Sequence, residues 1–320
     1  MLNLMNLSTY NFDLQKFNNE PENILKFLDK NQLDGIELSN PLGWKEEIIP
    51  KKNIKGVHLK QYPTWLDFWK GNQAALLEQF KDMDLVKKYY GGDKKDVIDH
   101  YQKEIQLSTK LGVSYVVFHV SHVQVEHTFN YQFTYSDEEV IDATAELINA
   151  IFKDLQTDVT LLFENLWWPG LRKLDKDLVL RLFNQVHYEN KGLLLDTGHL
   201  MNTNTALESE EEGIEYIINI INNLGELKSF IKGVHLHCSL SGKYVLEQMN
   251  KKQSKDFSFS PISHEVFMHV FNIDNHKPFT SPKVKELIEL INPEYLVHEI
   301  IASSSSELEK YIQTQKNTLR

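Results

Sequence analysis

The sequence predicts an α/β protein built as a (β/α)8 barrel, and three observations carry that prediction. Eight short runs rich in Val, Ile, Leu and Phe alternate with longer amphipathic stretches, as buried parallel strands alternate with covering helices. Six of the eight runs stop at or next to a His, Asp or Glu, the residue types that barrel enzymes gather at the C-terminal ends of their strands. The length of 320 residues suits one such barrel, for which roughly 200 to 400 residues is usual.

The elements follow in order. The apolar runs occupy residues 3–7, 35–38, 56–59, 115–120, 160–164, 192–196, 233–237 and 295–299. Helical patterns cover 24–30, 96–111, 136–155, 178–183, 209–224, 284–291 and 306–315. Gly112 directly after the second of these fits a helix C-terminal glycine, and Ser136 with Glu139 has the spacing of a capping box. The hexapeptide Ile54-Lys55-Gly56-Val57-His58-Leu59 recurs letter for letter at residues 231–236, on what count as strands three and seven, opposite each other in an eight-stranded barrel. No linker or composition shift divides the chain, so residues 1–320 are expected to form a single domain. Two long insertions, 61–92 and 239–278, leave the C-terminal ends of strands and are candidates for a lid or a substrate-pocket wall.

Composition removes several classes. Hydrophobic residues make up 41% and charged residues 25%, enough to bury a core and too apolar for global disorder. No apolar stretch reaches the roughly 18 residues needed to cross a bilayer. The first ten residues carry no basic start and no small-residue cleavage site, and the one cysteine, Cys238, excludes a disulfide framework; a reducing, cytoplasmic setting is expected. The net charge is −11, and of 34 basic residues three are arginine, at 172, 181 and 320. Nucleic acid is disfavoured as a partner on that balance, though a local basic groove is compatible with it.

The strand ends carry the chemistry. The runs close on Gly-Val-His58, Val-Phe-His119, Leu-Phe-Glu164, Leu-Leu-Asp196, Gly-Val-His235 and Val-His-Glu299. Burying that many ionisable groups at one rim costs several kcal/mol each without compensation, roughly. Divalent cations supply it, and mixed carboxylate and imidazole donors suit Zn, Mn or Co. His237 and His298 are expected on the opposite strand faces, as packing or supporting groups, and His122 and His127 in the loop after strand four as residues within reach of a substrate. Trp167 and Trp168 directly after Glu164 are placed to wall the metal or to pack the core.

Asp196-Thr197-Gly198-His199 after an apolar strand, with Glu164 one strand earlier and His235 one strand later, resembles the xylose isomerase-like TIM-barrel superfamily. That superfamily includes the endonuclease IV group (AP endonuclease family 2) and many sugar and sugar-phosphate isomerases and epimerases. The likeness runs from His58 to Glu299. It implies a nine-residue ligand series: His58 and His119 with Glu164 at a first metal, Glu164 with Asp196, His235 and Glu299 at a second, and His199 with Asp274 and His276 at a third. Val120-Ser121 replace the family's Pro-Gly, Thr280-Ser281-Pro282 replace glycines, and bulky Leu166-Trp167-Trp168 follow Glu164. Those loops would grip a duplex, so the departures weigh against DNA while the ligands remain.

The resemblance implies a metal-dependent isomerase or epimerase of a small sugar-like substrate, with Glu164 and Glu299 as acid–base carboxylates and His199 on the substrate. A multinuclear zinc phosphoesterase of the endonuclease IV type, acting on a phosphorylated substrate, is the alternative reaction. A non-catalytic metal-binding barrel is the third reading. One to three divalent ions per chain and a homo-oligomer are compatible with all of them.

Overall fold

The computed structural model describes residues 1–251 and 260–320. Eight parallel strands close in sequence order into a barrel: β1 (Leu2–Ser8), β2 (Gly35–Ser39), β3 (Ile54–His58), β4 (Tyr115–His119), β5 (Thr160–Glu164), β6 (Lys191–Asp196), β7 (Ile231–Leu236) and β8 (Tyr295–His298). β1 pairs with both β2 and β8, which seals the ring. The register sets His119 beside Glu164 and Asp196 beside His235, so the strand ends named by the sequence arrive at one level.

Each strand is followed by helical structure. The first half carries α1 (Asn11–Leu14), α2 (Pro21–Lys30), α3 (Trp65–Lys70), α4 (Gln73–Phe80), α5 (Met83–Tyr90), α6 (Lys94–Leu111) and α7 (Val125–Asn130). The second half carries α8 (Asp137–Phe152), α9 (Lys176–Gln185), α10 (Thr197–Met201), α11 (Glu210–Asn223), α12 (Gly242–Asn250), α13 (His264–Ile273), α14 (Val284–Ile291) and α15 (Ser305–Thr318). The capping box at Ser136 is formed in both directions, and Gly112 ends α6 in the left-handed conformation. The 61–92 insertion is itself helical, as α3 to α5; residues 252–259 of the 239–278 insertion lie outside the described residues. Among the described residues no helix is long and apolar enough to cross a membrane.

Two apolar layers hold the barrel. The larger one, between strands and helices, is built from outward-facing residues such as Ile36, Val57, Val116, Leu195 and Val234. The smaller fills the barrel interior with Leu4, Tyr115, Val117, Leu162, Leu194 and Val297. Tyr115 is the bulkiest of the six, and it fits because β3 offers Gly56: a Cβ there would lie 2.1 Å from the Tyr115 Cζ. Alternation along a strand then decides the site. Counting on by two from the interior residues Val117, Leu162, Leu194 and Val297 gives His119, Glu164, Asp196 and Glu299. The interior floor is apolar and the layer above it is made of donors.

Candidate metal centre

All nine residues of the predicted series come to the C-terminal mouth of the barrel. Glu164 is at the centre, wholly buried. His58 Nε2 and His119 Nε2 both stand 3.0 Å from its Oε2, and His235 Nδ1 stands 3.1 Å from its Oε1. The same His235 nitrogen is 2.9 Å from Glu299 Oε2 and 3.8 Å from Asp196 Oδ2. Candidate ligand atoms of Glu164, Asp196, His235 and Glu299 lie within 4.8 Å of one another, as do those of His58, His119 and Glu164. The His58 and His235 rings, from the two copies of the repeated hexapeptide, stack across the mouth at 5.7 Å. On the far side His199 Nε2 is 3.2 Å and His276 Nε2 2.6 Å from Asp274 Oδ2.

The outer partners of these imidazoles decide which nitrogen is bare. His58 Nδ1 donates to the Leu59 carbonyl (3.0 Å), His199 Nδ1 to the Asn165 carbonyl (2.8 Å) and His276 Nδ1 to the Glu299 carbonyl (3.0 Å). A carbonyl only accepts, so each hydrogen sits on Nδ1 and Nε2 is left toward the carboxylates. His235 is set the other way: its Nε2 donates to Glu37 Oε1 (2.8 Å), and Glu37 also accepts from the Tyr115 hydroxyl (2.7 Å). Four ring nitrogens therefore face buried carboxylate oxygens, and something positive must stand between them. A proton can do so at each, and a divalent ion can do so for several at once.

Charge follows from that crowding. Burial pushes His58, His199 and His276 down, yet Glu164 at the first, Asp196 and Asp274 at the second and Asp274 at the third outweigh it, to about 9, 10 and 9. Burial also lowers His235, but Glu299, Glu37 and Glu164 carry it above its usual value. His119 is pulled down, because burial there exceeds the attraction of Glu164. Burial raises Glu164, Asp274 and Glu299, and the imidazoles around them more than reverse it, so all three stay ionised. His119 Nδ1 is buried and makes no hydrogen bond, so the protein alone does not satisfy the cluster. Imidazole with carboxylate, in groups of three and four, is a donor set for a borderline divalent cation.

The sequence of residues 90–292 matches a family model described as the xylose isomerase-like TIM barrel (AP endonuclease family 2). The chain belongs to the xylose isomerase-like TIM barrel family. No curated protein sequence matches it. Among solved structures, endonuclease IV from Thermus thermophilus is similar at 12% identity and a TM-score of 0.54, covering 100% of this chain and 99% of that one. D-psicose 3-epimerase with D-tagatose, from Clostridium cellulolyticum, is similar at 12% identity and a TM-score of 0.50, covering 100% of both chains. The IOLI protein with a zinc atom is similar at 15% identity and a TM-score of 0.51, covering 99% of this chain and 96% of that one. At these identities the likeness shows the fold.

In this xylose isomerase-like barrel the loops line a half-open cavity of about 620 Å³ over the centre. His58, His119, His199, Asp274, His276 and Glu299 reach it from below, and Leu166, Trp167, Trp168, Val123, Val266 and Val270 wall it. Trp167 and Trp168 thus serve the pocket wall, with Trp167 5.0 Å from the His199 ring. α13, from the second insertion, forms part of the enclosure, and Thr64 and Tyr89 contribute from the first.

Three placements differ from the expectation. His237 lies on the inward face, not the opposite one, because it is two residues beyond His235 and strand side chains alternate with period two. Its ligand atoms group with Asp274 and His276, and separately with Asp196 and His199. Glu37 was missed altogether; its signal was an acidic residue in an otherwise apolar strand, Gly-Ile-Glu37-Leu. His122 does not line the cavity: it is buried behind the wall, where Nδ1 accepts from the Leu66 amide at 3.1 Å. His298 is on the outer face as expected, its Nδ1 2.8 Å from Gln315 Nε2 of α15.

Burial holds His122 down at about 4 against the pull of Asp67, so it is neutral in the fold. An unfolded histidine takes up its proton near pH 6.5. The stability that the neutral ring contributes is therefore complete above 6.5 and is lost as pH falls from there toward 4, at up to about 1.4 kcal/mol per pH unit. Thermal melts of wild type and His122→Gln between pH 7 and 4.5 check this: the wild type should lose stability more steeply than the variant over that interval.

Proposed function

We propose that the protein is a divalent-metal-dependent enzyme that isomerises or epimerises a small sugar-like substrate. One observation carries this reading: Glu164 and Glu299 bring carboxylate oxygens within 3.1 and 2.9 Å of one His235 nitrogen, with Glu299 lining a half-open, aromatic-walled cavity and Glu164 buried against the histidines His58 and His119 that line it. Two carboxylates then flank a single ligand position. A cation held by Glu164, Asp196, His235 and Glu299 would polarise a substrate carbonyl and its neighbouring hydroxyl.

The chain's residues supply the rest. Glu164 and Glu299 are ionised, so one accepts a proton from the carbon beside the carbonyl and, as the carboxylic acid so formed, returns it to the neighbouring carbon, while the other carries the hydroxyl proton between the two substrate oxygens. His199, held by the Asn165 carbonyl, presents Nε2 to a substrate hydroxyl beside Asp274. Trp167 and Trp168 offer apolar faces to the sugar ring and keep water from the reacting carbons. Lys60 is the one Lys or Arg among the described residues lining the cavity, and it can meet a phosphate if the substrate carries one.

The test is proton exchange. Metal-loaded protein is incubated in D2O with a panel of ketoses and ketose phosphates, and deuterium entry beside the carbonyl is read by NMR. Deuterium should enter at least one substrate and cease in Glu164→Gln and in Glu299→Gln.

A second reading, phosphoester hydrolysis at a multinuclear centre, is favoured by His58 and His119 converging on one Glu164 oxygen. Those two histidines have no task in the carboxylate-pair reaction. His58→Ala should accordingly leave most exchange activity intact, and loss of hydrolysis of a small phosphodiester in that variant would instead support the second reading.

A further inference from the structure

We infer that Glu37 is a positioning residue of the centre, acting through His235 rather than on the substrate. It holds the His235 ring with Nδ1 turned to Glu164 and Glu299, and it has to be a carboxylate because Tyr115 takes its second oxygen. This rests on the metal-centre reading above and gives a role to a residue outside the nine-ligand series.

Glu37 is buried one inward layer below the mouth: its register partner on β3 is Gly56, whereas His58 pairs with Ser39. The barrel interior at that depth is otherwise apolar, with Leu4, Val117, Leu162, Leu194 and Val297. A carboxylate there costs stability unless both oxygens are satisfied. Two donors from different strands do this. His235 Nε2 donates to Oε1 at 2.8 Å, and the Tyr115 hydroxyl donates to Oε2 at 2.7 Å. Tyr115 cannot withdraw, because its ring fills the space that Gly56 leaves and lies 4.4 Å from the Tyr295 ring. With Nε2 committed to Glu37, the other His235 nitrogen is the one that stands 3.1 Å from Glu164 and 2.9 Å from Glu299.

The pair of donors explains why the side chain is Glu and not Gln. A carboxylate offers an acceptor to each donor at once. Glutamine has the same shape but a single oxygen. With that oxygen toward Tyr115, its amide hydrogens meet the His235 N–H, and the imidazole loses the partner that keeps its hydrogen on Nε2. With the oxygen toward His235, the Tyr115 hydroxyl hydrogen is left in an apolar layer without an acceptor. Either way a buried donor goes unpaired, and the two donors compete for one oxygen. A carboxylate behind a ligating imidazole also makes the ring a stronger base, so its loss weakens a cation on the far nitrogen. His235 is thereby fixed by contacts from β2 and β4, two strands that it does not pair with.

The experiment compares wild type, Glu37→Gln and Glu37→Gln/Tyr115→Phe, with circular dichroism to confirm folding. Two quantities are read. Proton NMR of metal-free, 15N-histidine-labelled protein reports the His235 ring N–H, which a buried carboxylate moves downfield and protects from exchange. Chelator competition reports zinc affinity. Glu37→Gln should lose the downfield signal and weaken zinc by about 10–100-fold. The double variant removes the competing donor and lets the amide oxygen turn to His235, so it should recover at least about threefold of that loss. A signal and a zinc affinity unmoved by Glu37→Gln overturn the assignment of Glu37 alone, and a double variant no tighter than Glu37→Gln overturns the part given to Tyr115. Wild type that shows the downfield proton and binds no zinc overturns the metal-centre reading instead. Should Glu37→Gln fail to fold, Glu37→Met/Tyr115→Phe replaces acceptor and hydroxyl by apolar groups of similar size. The same two losses are then expected, and their absence overturns the assignment.

Discussion

Glu164→Gln is expected to abolish turnover and to release the metal of the central group while leaving the barrel folded. The substitution keeps the shape of the side chain and removes only its charge. That charge is approached from four sides, by His58, His119, His199 and His235. It belongs to two of the ligand groups, so its loss weakens both at once. In the proposed reaction it is also one of the two carboxylates that move the proton, and an amide cannot accept a proton at neutral pH. Loss of at least about 10³-fold in rate is expected from those two roles together. The measurement is deuterium exchange and zinc per chain, side by side with a thermal melt. A variant with full turnover would discard the carboxylate-pair reaction and the phosphoester reaction alike, since Glu164 is central to both.

The second large effect is on stability. Asp67→Ala should destabilise the protein by about 3 kcal/mol or more. Asp67 is wholly buried in α3, and its two oxygens accept from Asn72 Nδ2, Gln79 Nε2, Gln124 Nε2 and the Tyr135 hydroxyl, at 3.2, 2.9, 2.8 and 2.8 Å. Those donors come from the first insertion and from the loop after β4, so one carboxylate ties together two segments that wall the cavity. Alanine would leave buried donors unpaired, each costing about 1–3 kcal/mol. Asp67→Asn should cost less, because it keeps the oxygen that accepts from two of them. Denaturant unfolding of the three proteins checks the order. Equal midpoints for wild type and Asp67→Ala would show that the network does not hold the wall.

Much of the site was legible because barrel chemistry is written at strand ends. An apolar run of four or five residues that stops in His119, Glu164 or Asp196 states both the strand and the point at which it leaves the core. Asp274 and His276 carry no such mark, and their place came only from the resemblance to the family's ligand series. His237 was misread for a definite reason: its neighbour in the chain, Leu236, faces out, and period two returns position 237 to the side of His235. The period-two alternation of β7 puts His237 on the inward face in the same way as His235.

The amino-acid sequence by itself determined the barrel, the order of its strands and the rim at which ionisable groups collect, because those follow from local periodicity and from the cost of burying charge. Tertiary structure alone decided which groups meet. Glu37 reaches His235 across 198 positions and Tyr115 across 78. Asp67 gathers donors from two separate loops, and α13 joins the cavity wall from an insertion whose pattern gave no direction. Contacts of that kind depend on closure of the ring and on the path of long loops over it, and no local pattern encodes either.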